Sequence, residues 1–104
     1  MSLSDKLLKE YFDGLKLMDF GKALEALKNG EKVAREGWNG KGMFVYMVGK
    51  GSYVPSTEIA KQLVNENGTV DYEPYLAIKN VKGTVSTWVP NINDCLAKDW
   101  VIVQ

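Results

Sequence analysis

A glycine-rich block at residues 35–42, Arg-Glu-Gly-Trp-Asn-Gly-Lys-Gly, combines side chains that nucleotide binding uses. The glycines let a ligand approach the main chain, the Trp38 indole offers a stacking face for a base, and Arg35 or Lys41 would offset phosphate charge. A plain hairpin loop explains the same residues. In that case Trp38 would cover the end of the core, and Arg35 would pair with Glu36 or Asp99. The block matches neither GxxxxGK[ST] nor GxGxxG, so spacing alone leaves both interpretations open.

A second candidate segment, residues 87–94, places an aromatic ring ahead of amide and carboxylate side chains. Trp88 would stack a base. Asn91, Asn93 or Asp94 would then bind ribose hydroxyls or a base edge. The alternative is a capped turn, in which Asn91 or Asn93 caps a short helix that contains Asp94. This segment therefore carries a binding and a structural interpretation side by side.

The composition excludes several catalytic chemistries. The 104 residues contain no His and one Cys, which removes Ser-His-Asp and Cys-His nucleophile systems, His-ligated metals, Cys-based zinc sites and internal disulfides. Without a His to activate it, Cys95 is predicted to be a small buried apolar residue. We expect no cofactor and no catalytic residues.

Charge and hydropathy limit the partners. Lys plus Arg and Asp plus Glu both number 13, so the basic excess that sequence-independent binding to duplex nucleic acid needs is missing. No stretch of the sequence approaches the roughly 18 to 20 apolar residues of a membrane span, and the polar start is unlike a secretory signal. We therefore expect no duplex nucleic acid partner, no membrane partner and a cytoplasmic location.

The helices and strands that would position these candidate residues predict an α+β domain. Asp19 is a good N-cap, and Phe20, Ala23 and Leu27 follow it on one helical face. Strands are predicted at 31–35, 43–48, 70–72, 75–79, 85–89 and 100–103, a hairpin turn at 80–83, and short helices at 56–65 and 93–98. The expected fold is a small antiparallel sheet of four to six strands with one main helix packed across it plus short accessory helices.

Two further features complete this prediction. An amphipathic spacing over residues 4–18 predicts a helical N-terminal extension, 1–17, before the main domain, 18–104. In the last strand, Trp100 is predicted to lie in the core, and Asp99 to act as a structural hydrogen-bond acceptor.

Three stretches together resemble a known family: residues 19–30, residues 32–44 with the Arg-Glu-Gly-Trp-Asn-Gly-Lys-Gly block, and residues 88–102 with the terminal Asp-Trp pair. They are similar to the phage-encoded Thoeris anti-defence proteins of the second type, over about residues 18–103. The first 17 residues and the segment 49–71 depart from the compact pattern of that family.

The resemblance implies a non-enzymatic sponge. Such a protein binds cyclised ADP-ribose signals made by bacterial TIR-domain proteins, and in some members other cyclic nucleotides such as cyclic dinucleotides, without cleaving them. It also implies a homotetramer, a dimer of dimers, with pockets between subunits. Carried over by position, the ligand-binding residues are Trp38, Asn39, Trp88 and Asp94, with Arg35 and Phe44 as further candidates.

Two other functions stay open from the residues themselves. A nucleotide hydrolase would use Asp94 or Asp99 as its general base. A phage or prophage protein-interaction module would instead bind a protein through exposed aromatic side chains. The sheet offers Tyr46, Tyr53, Tyr72 and Tyr75 for that purpose.

Overall fold

The main helix, α1, spans Phe20–Lys28, as its apolar spacing predicts. In the computed structural model, which describes residues 17–38 and 40–104, the Asp19 carboxylate caps the helix by accepting a hydrogen bond from the Lys22 main-chain N–H at 2.9 Å. The chain leaves α1 through Gly30, whose φ of 88° suits a residue without a Cβ. The helix predicted for residues 4–18 falls almost entirely outside the described residues.

The strands follow the predicted segments, with one addition. They are β1 (Lys32–Arg35), β2 (Phe44–Val48), β3 (Gly51–Tyr53), β4 (Val70–Tyr72), β5 (Tyr75–Lys79), β6 (Val85–Thr87) and β7 (Trp100–Val103). A five-stranded sheet has the order β6-β5-β2-β1-β7, and β3 pairs with β4 in a separate two-stranded sheet. All of these pairs are antiparallel. The predicted α+β fold with one main helix on an antiparallel sheet is confirmed.

One face of the five-stranded sheet packs against α1. Side chains alternate between the two faces along a strand, and the register pairs Val33 with Val45 and Val45 with Ile78, which puts all three on one face. Val33 and Val45 are fully buried together with Leu27 of the helix and Trp100 of β7. The core therefore lies between α1 and this face, and the prediction that Trp100 belongs to it is confirmed.

The opposite face carries a different set of side chains. Phe44 and Tyr46 flank Val45 on β2, so they point away from α1. Phe44 lies directly across from Lys79 of β5. Residues adjacent in sequence, such as Phe44 and Val45, thus lie on opposite faces of the sheet.

The helix predicted over residues 56–65 is wrong. The structure has only a 3-10 turn at Ala60–Leu63, and Ile59 and Leu63 are 76% and 67% exposed. An apolar helical face forms only where it has a surface to pack against, and this segment lies beyond the core. The preceding residues, predicted as a loop, instead form β3, because pairing with β4 overrides the low strand propensity of Gly51 and Ser52.

The short helix near the C-terminus, α2, spans Ile92–Leu96 and begins one residue before its predicted start. The prediction that Cys95 is buried is wrong, because its side chain is exposed. In this one-turn helix the residue that faces the interior is Asp94, which leaves Cys95 on the outer side. None of the helices within 17–38 and 40–104 is long and apolar enough to cross a membrane.

Candidate functional site

Four aromatic rings meet at one end of the helix-covered core, and we call them the tryptophan cluster: Phe20, Trp38, Trp88 and Trp100. The Trp38 and Trp88 rings both meet Trp100 nearly edge-to-face, at centroid distances of 5.4 and 6.0 Å. Phe20 of α1 lies 5.5 Å from Trp100. Trp100 is fully buried, whereas Trp38 and Trp88 are half-buried. The two outer indoles therefore cover the core and still present ring surface to solvent.

Arg35 lies beside this cluster and is already neutralised. Its Nε donates to Asp99 Oδ1 at 2.9 Å, and its Nη1 donates to Asp94 Oδ1 at 3.2 Å. The hydrogen bond to Asp99 is the main reason why the pKa of Arg35 is raised. The predicted pairing with Asp99 is confirmed. A phosphate that approached Arg35 would have to compete with two carboxylates, so this guanidinium is a poor source of charge for a ligand.

Asp94 has a structural role in two networks at once. Its Oδ1 accepts from Arg35, and its Oδ2 accepts from the Asn91 main-chain N–H at 3.1 Å. The Asn91 side chain in turn accepts from the Asp94 main-chain N–H at 2.8 Å, which completes a capping box at the start of α2. The prediction that Asn91 caps this helix is confirmed. With both carboxylate oxygens occupied and the residue 6% exposed, Asp94 is badly placed to act as a general base.

Asp99 holds the loop that carries Trp38. Its Oδ2 accepts from the Gly37 main-chain N–H at 3.0 Å, while its own carbonyl oxygen accepts from the Glu36 N–H at 2.9 Å. A Cβ on Gly37 would approach the same carboxylate to 3.1 Å. The predicted role of Asp99 as a structural acceptor is confirmed. Through these bonds Asp99 fixes the position of the Trp38 ring.

Asp99 also makes the stability of the fold sensitive to acid. Burial raises the pKa of Asp99, but hydrogen bonds from Arg35 and the Gly37 N–H lower it more, so that the pKa lies below its ordinary value. A carboxylate whose pKa is depressed by folding stabilises the native state above its unfolded pKa, about 4. That contribution is lost as the pH falls through the folded pKa.

We therefore expect the melting temperature to fall as the pH drops below about 4, and Asp99→Asn to remove part of this dependence. Thermal unfolding of both proteins, followed by circular dichroism across a pH series, measures the effect. Asp71→Asn, which changes an exposed carboxylate of β4, is the matched control. Parallel pH profiles for the wild type and Asp99→Asn would contradict this prediction.

The structure brings together four of the six ligand-binding residues predicted from the sequence: Arg35, Trp38, Trp88 and Asp94. Asn39 lies outside the described residues. Phe44 is separated from this group, because it points from β2 to the face of the sheet opposite α1. Within one protomer, Phe44 and the tryptophan cluster therefore line different surfaces.

Phe44 instead belongs to a depression that sequence analysis missed, which we call the lysine pocket. This cavity has a volume of about 450 Å³, and its lining includes Lys32, Phe44, Tyr46, Lys79 and Val85. The Nζ atoms of Lys32 and Lys79 lie 5.0 and 5.6 Å from the centroid of the Phe44 ring. Sequence analysis could have found this pocket only from the cross-strand register, which sets Lys79 across from Phe44. No single segment of the sequence shows that pairing.

A third concave surface, the tyrosine groove, lies where the β3–β4 arm meets the main sheet. It has a volume of about 750 Å³ and is lined in part by Val48, Tyr53, Tyr72 and Tyr75. The Tyr53 and Tyr72 rings are 5.8 Å apart. Across the described part of the chain, no group of three or more His, Cys, Asp or Glu residues is arranged to hold a metal ion.

Fold and sequence together define the class of the protein. The model of the Thoeris anti-defense 2-like domain matches residues 18–103, a range that contains α1, both sheets and the tryptophan cluster. The chain belongs to this family, which is named for an anti-defense role and not for an enzymatic activity. A protein of Bacillus phage SP01 named Thoeris anti-defense 2 is 39% identical to it over 91 residues, which cover 84% of this chain and 96% of the relative. The resemblance inferred from the sequence is confirmed.

Proposed function

We propose that the protein binds a cyclised ADP-ribose signal, keeps it from its effector without cleaving it, and so counters Thoeris defence in the cytoplasm of a bacterium infected by the phage that encodes it. Membership of the anti-defense family supports the biological role. The structural observation that carries the proposal is the pair of half-buried indoles, Trp38 and Trp88, held at the edge of the core. Such rings are rigid stacking surfaces for a base.

In the proposed site, Trp38 and Trp88 stack on the ligand, and Asn39 supplies a polar contact. Arg35 and Asp94 act beside them by holding the loop and α2 in place. A nanomolar dissociation constant corresponds to about −12 kcal/mol. Base stacking contributes only about 1 to 3 kcal/mol per base. Polar contacts and a second subunit would therefore have to supply most of the binding free energy. This need is consistent with the proposed homotetramer, a dimer of dimers with pockets between its subunits.

Capture rather than hydrolysis is favoured by the hydrogen bonding of Asp94 and Asp99, the two carboxylates that the sequence offered as general bases. Asp94 accepts from Arg35 and the Asn91 N–H, and Asp99 accepts from Arg35 and the Gly37 N–H. A general base needs a free oxygen within reach of the attacking water. Both carboxylates are instead engaged in holding the fold.

The proposal is tested by titrating the protein with cyclic ADP-ribose isomers, cyclic dinucleotides and linear ADP-ribose in a calorimeter. We expect one cyclic isomer to bind stoichiometrically, and chromatography of the ligand released by heating to recover it unchanged. Trp38→Ala should weaken that binding at least about tenfold, since it removes one stacking face. Tyr72→Ala, which removes an exposed ring from the tyrosine groove, is the matched control.

Three outcomes would count against this function. Consumption of the ligand would indicate a hydrolase. If Trp38→Ala bound the cyclic nucleotide as tightly as the wild type, the binding site would not be at the tryptophan cluster. Failure of the wild type to bind any of these nucleotides, together with a co-purifying protein, would favour the protein-interaction alternative.

A further inference from the structure

We propose that the lysine pocket is a separate binding site for a diphosphate group, either free or esterified in a nucleotide. The site lies on the face of the sheet opposite α1, where Lys32 of β1 and Lys79 of β5 reach over the Phe44 ring of β2. This inference does not depend on the function proposed for the tryptophan cluster.

The two ammonium groups of the pocket lack Asp or Glu partners. Among the described residues no Asp or Glu side-chain carboxylate lies within 4 Å of either Nζ atom. Lys79 donates to the Gly42 carbonyl oxygen at 3.0 Å, and Lys32 makes a long contact of 3.5 Å with the Gln104 main-chain oxygen. An ammonium carries three N–H donors, so each lysine keeps donors for a ligand.

The position of the lysines points to an anion with more than one negative centre. Both ammonium groups lie over the same ring, 5.0 and 5.6 Å from its centroid, so a dianionic or trianionic group that contacts both would neutralise two like charges. A diphosphate has oxygens on two adjacent phosphorus atoms and can accept from both lysines at once. The Phe44 ring and Val85 add apolar surface beside the two lysines.

The pocket is large enough for more than the phosphates. Its volume of about 450 Å³ falls within the range of about 300–1,000 Å³ that small-molecule sites occupy. Tyr46 lies beside Phe44 with ring centroids 6.0 Å apart, so an aromatic surface continues past the two lysines. A nucleoside diphosphate would therefore use this pocket more fully than free diphosphate.

The alternation of side chains along β1 and β2 separates this site from the tryptophan cluster. Arg35 and Val33 lie on the α1 face, while Lys32 and Phe44 lie on the other. The two surfaces of one protomer are thus divided by the sheet itself. A ligand held by the outer indoles does not reach the lysine pocket of the same protomer.

The test is calorimetric titration of the full chain with inorganic pyrophosphate, ADP and adenosine at low and high salt. We expect pyrophosphate and ADP to bind, ADP more tightly, with both weakened by salt, and adenosine to bind far less. Replacing both lysines in Lys32→Gln/Lys79→Gln should weaken pyrophosphate and ADP at least about tenfold. Lys22→Gln/Lys50→Gln removes the same charge elsewhere and should bind like the wild type, and melting temperatures check that both variants fold.

Binding of pyrophosphate should also persist in the Trp38→Ala variant, because the sheet separates the lysine pocket from the tryptophan cluster. Loss of pyrophosphate binding in Trp38→Ala would overturn the separation of the two sites. Absence of pyrophosphate and ADP binding in the wild type, equal binding by the Lys32→Gln/Lys79→Gln variant, or an equal loss in the control variant would overturn the pocket. None of these results bears on whether the wild type captures a cyclic nucleotide, so the two proposals fail independently.

Discussion

Replacing Trp100 with alanine is expected to lower the free energy of unfolding by about 3 to 5 kcal/mol. Trp100 is fully buried at the centre of the tryptophan cluster, so the substitution removes a large apolar surface and leaves a cavity beneath the two outer indoles. It also deprives the Asp94 carbonyl oxygen of the hydrogen bond that Trp100 Nε1 donates at 2.9 Å. A small domain has only about 5 to 15 kcal/mol of stability in total.

Urea denaturation followed by circular dichroism measures this loss. Trp100→Phe keeps an aromatic ring but removes the N–H donor, and it should cost less than the alanine variant. Ile102→Ala, on the same strand but 39% exposed, is the matched control, with an expected cost of about 1 kcal/mol or less. If Trp100→Ala were no less stable than the control, Trp100 would not be the centre of this core.

Replacing Arg35 with methionine is expected to cost about 3 kcal/mol, the low end of the range for breaking a buried ion pair. Methionine retains much of the aliphatic stem but leaves the buried Asp94 carboxylate without its cation. It also removes the Arg35 hydrogen bond to Asp99. The low end applies because the Arg35 side chain is 24% exposed and water screens part of the interaction.

A double-mutant cycle with Asp94→Asn isolates the interaction between the two residues. Asparagine at this position keeps an oxygen for the Asn91 N–H of the capping box but carries no charge. We expect Arg35→Met to cost much less in the Asp94→Asn background than in the wild type, because no buried charge is then left unpaired. Purely additive costs in urea denaturation would show that Arg35 and Asp94 are not coupled.

The parts of the fold that sequence predicted are those governed by local patterns. Asp19 caps α1, and the apolar residues that follow it form the buried face of the helix. Alternation and turn residues located β1, β2 and β5 to within a residue at each end. The Asn91 cap of α2 was likewise readable, because its partners lie within three positions along the chain.

The parts that sequence missed depend on residues far apart along the chain. Strand β3 forms because β4 supplies its hydrogen-bonding partner, and nothing in Gly51-Ser52-Tyr53 alone favours a strand. The lysine pocket exists because the register sets Lys79 across from Phe44. The family resemblance grouped Phe44 with Trp38, and within one protomer the alternation of β2 turns Phe44 to the face of the sheet opposite the tryptophan cluster.

The three tryptophans of the chain all lie in one cluster, with centroids between 5.4 and 6.5 Å apart. At such separations excitation passes readily from one indole to another, so the fluorescence emission of the whole protein comes from a single place. A ligand stacked on Trp38 or Trp88 should quench that emission, while a ligand on the other face of the sheet should leave it nearly unchanged. One emission spectrum thus distinguishes occupancy of the two faces without any attached label.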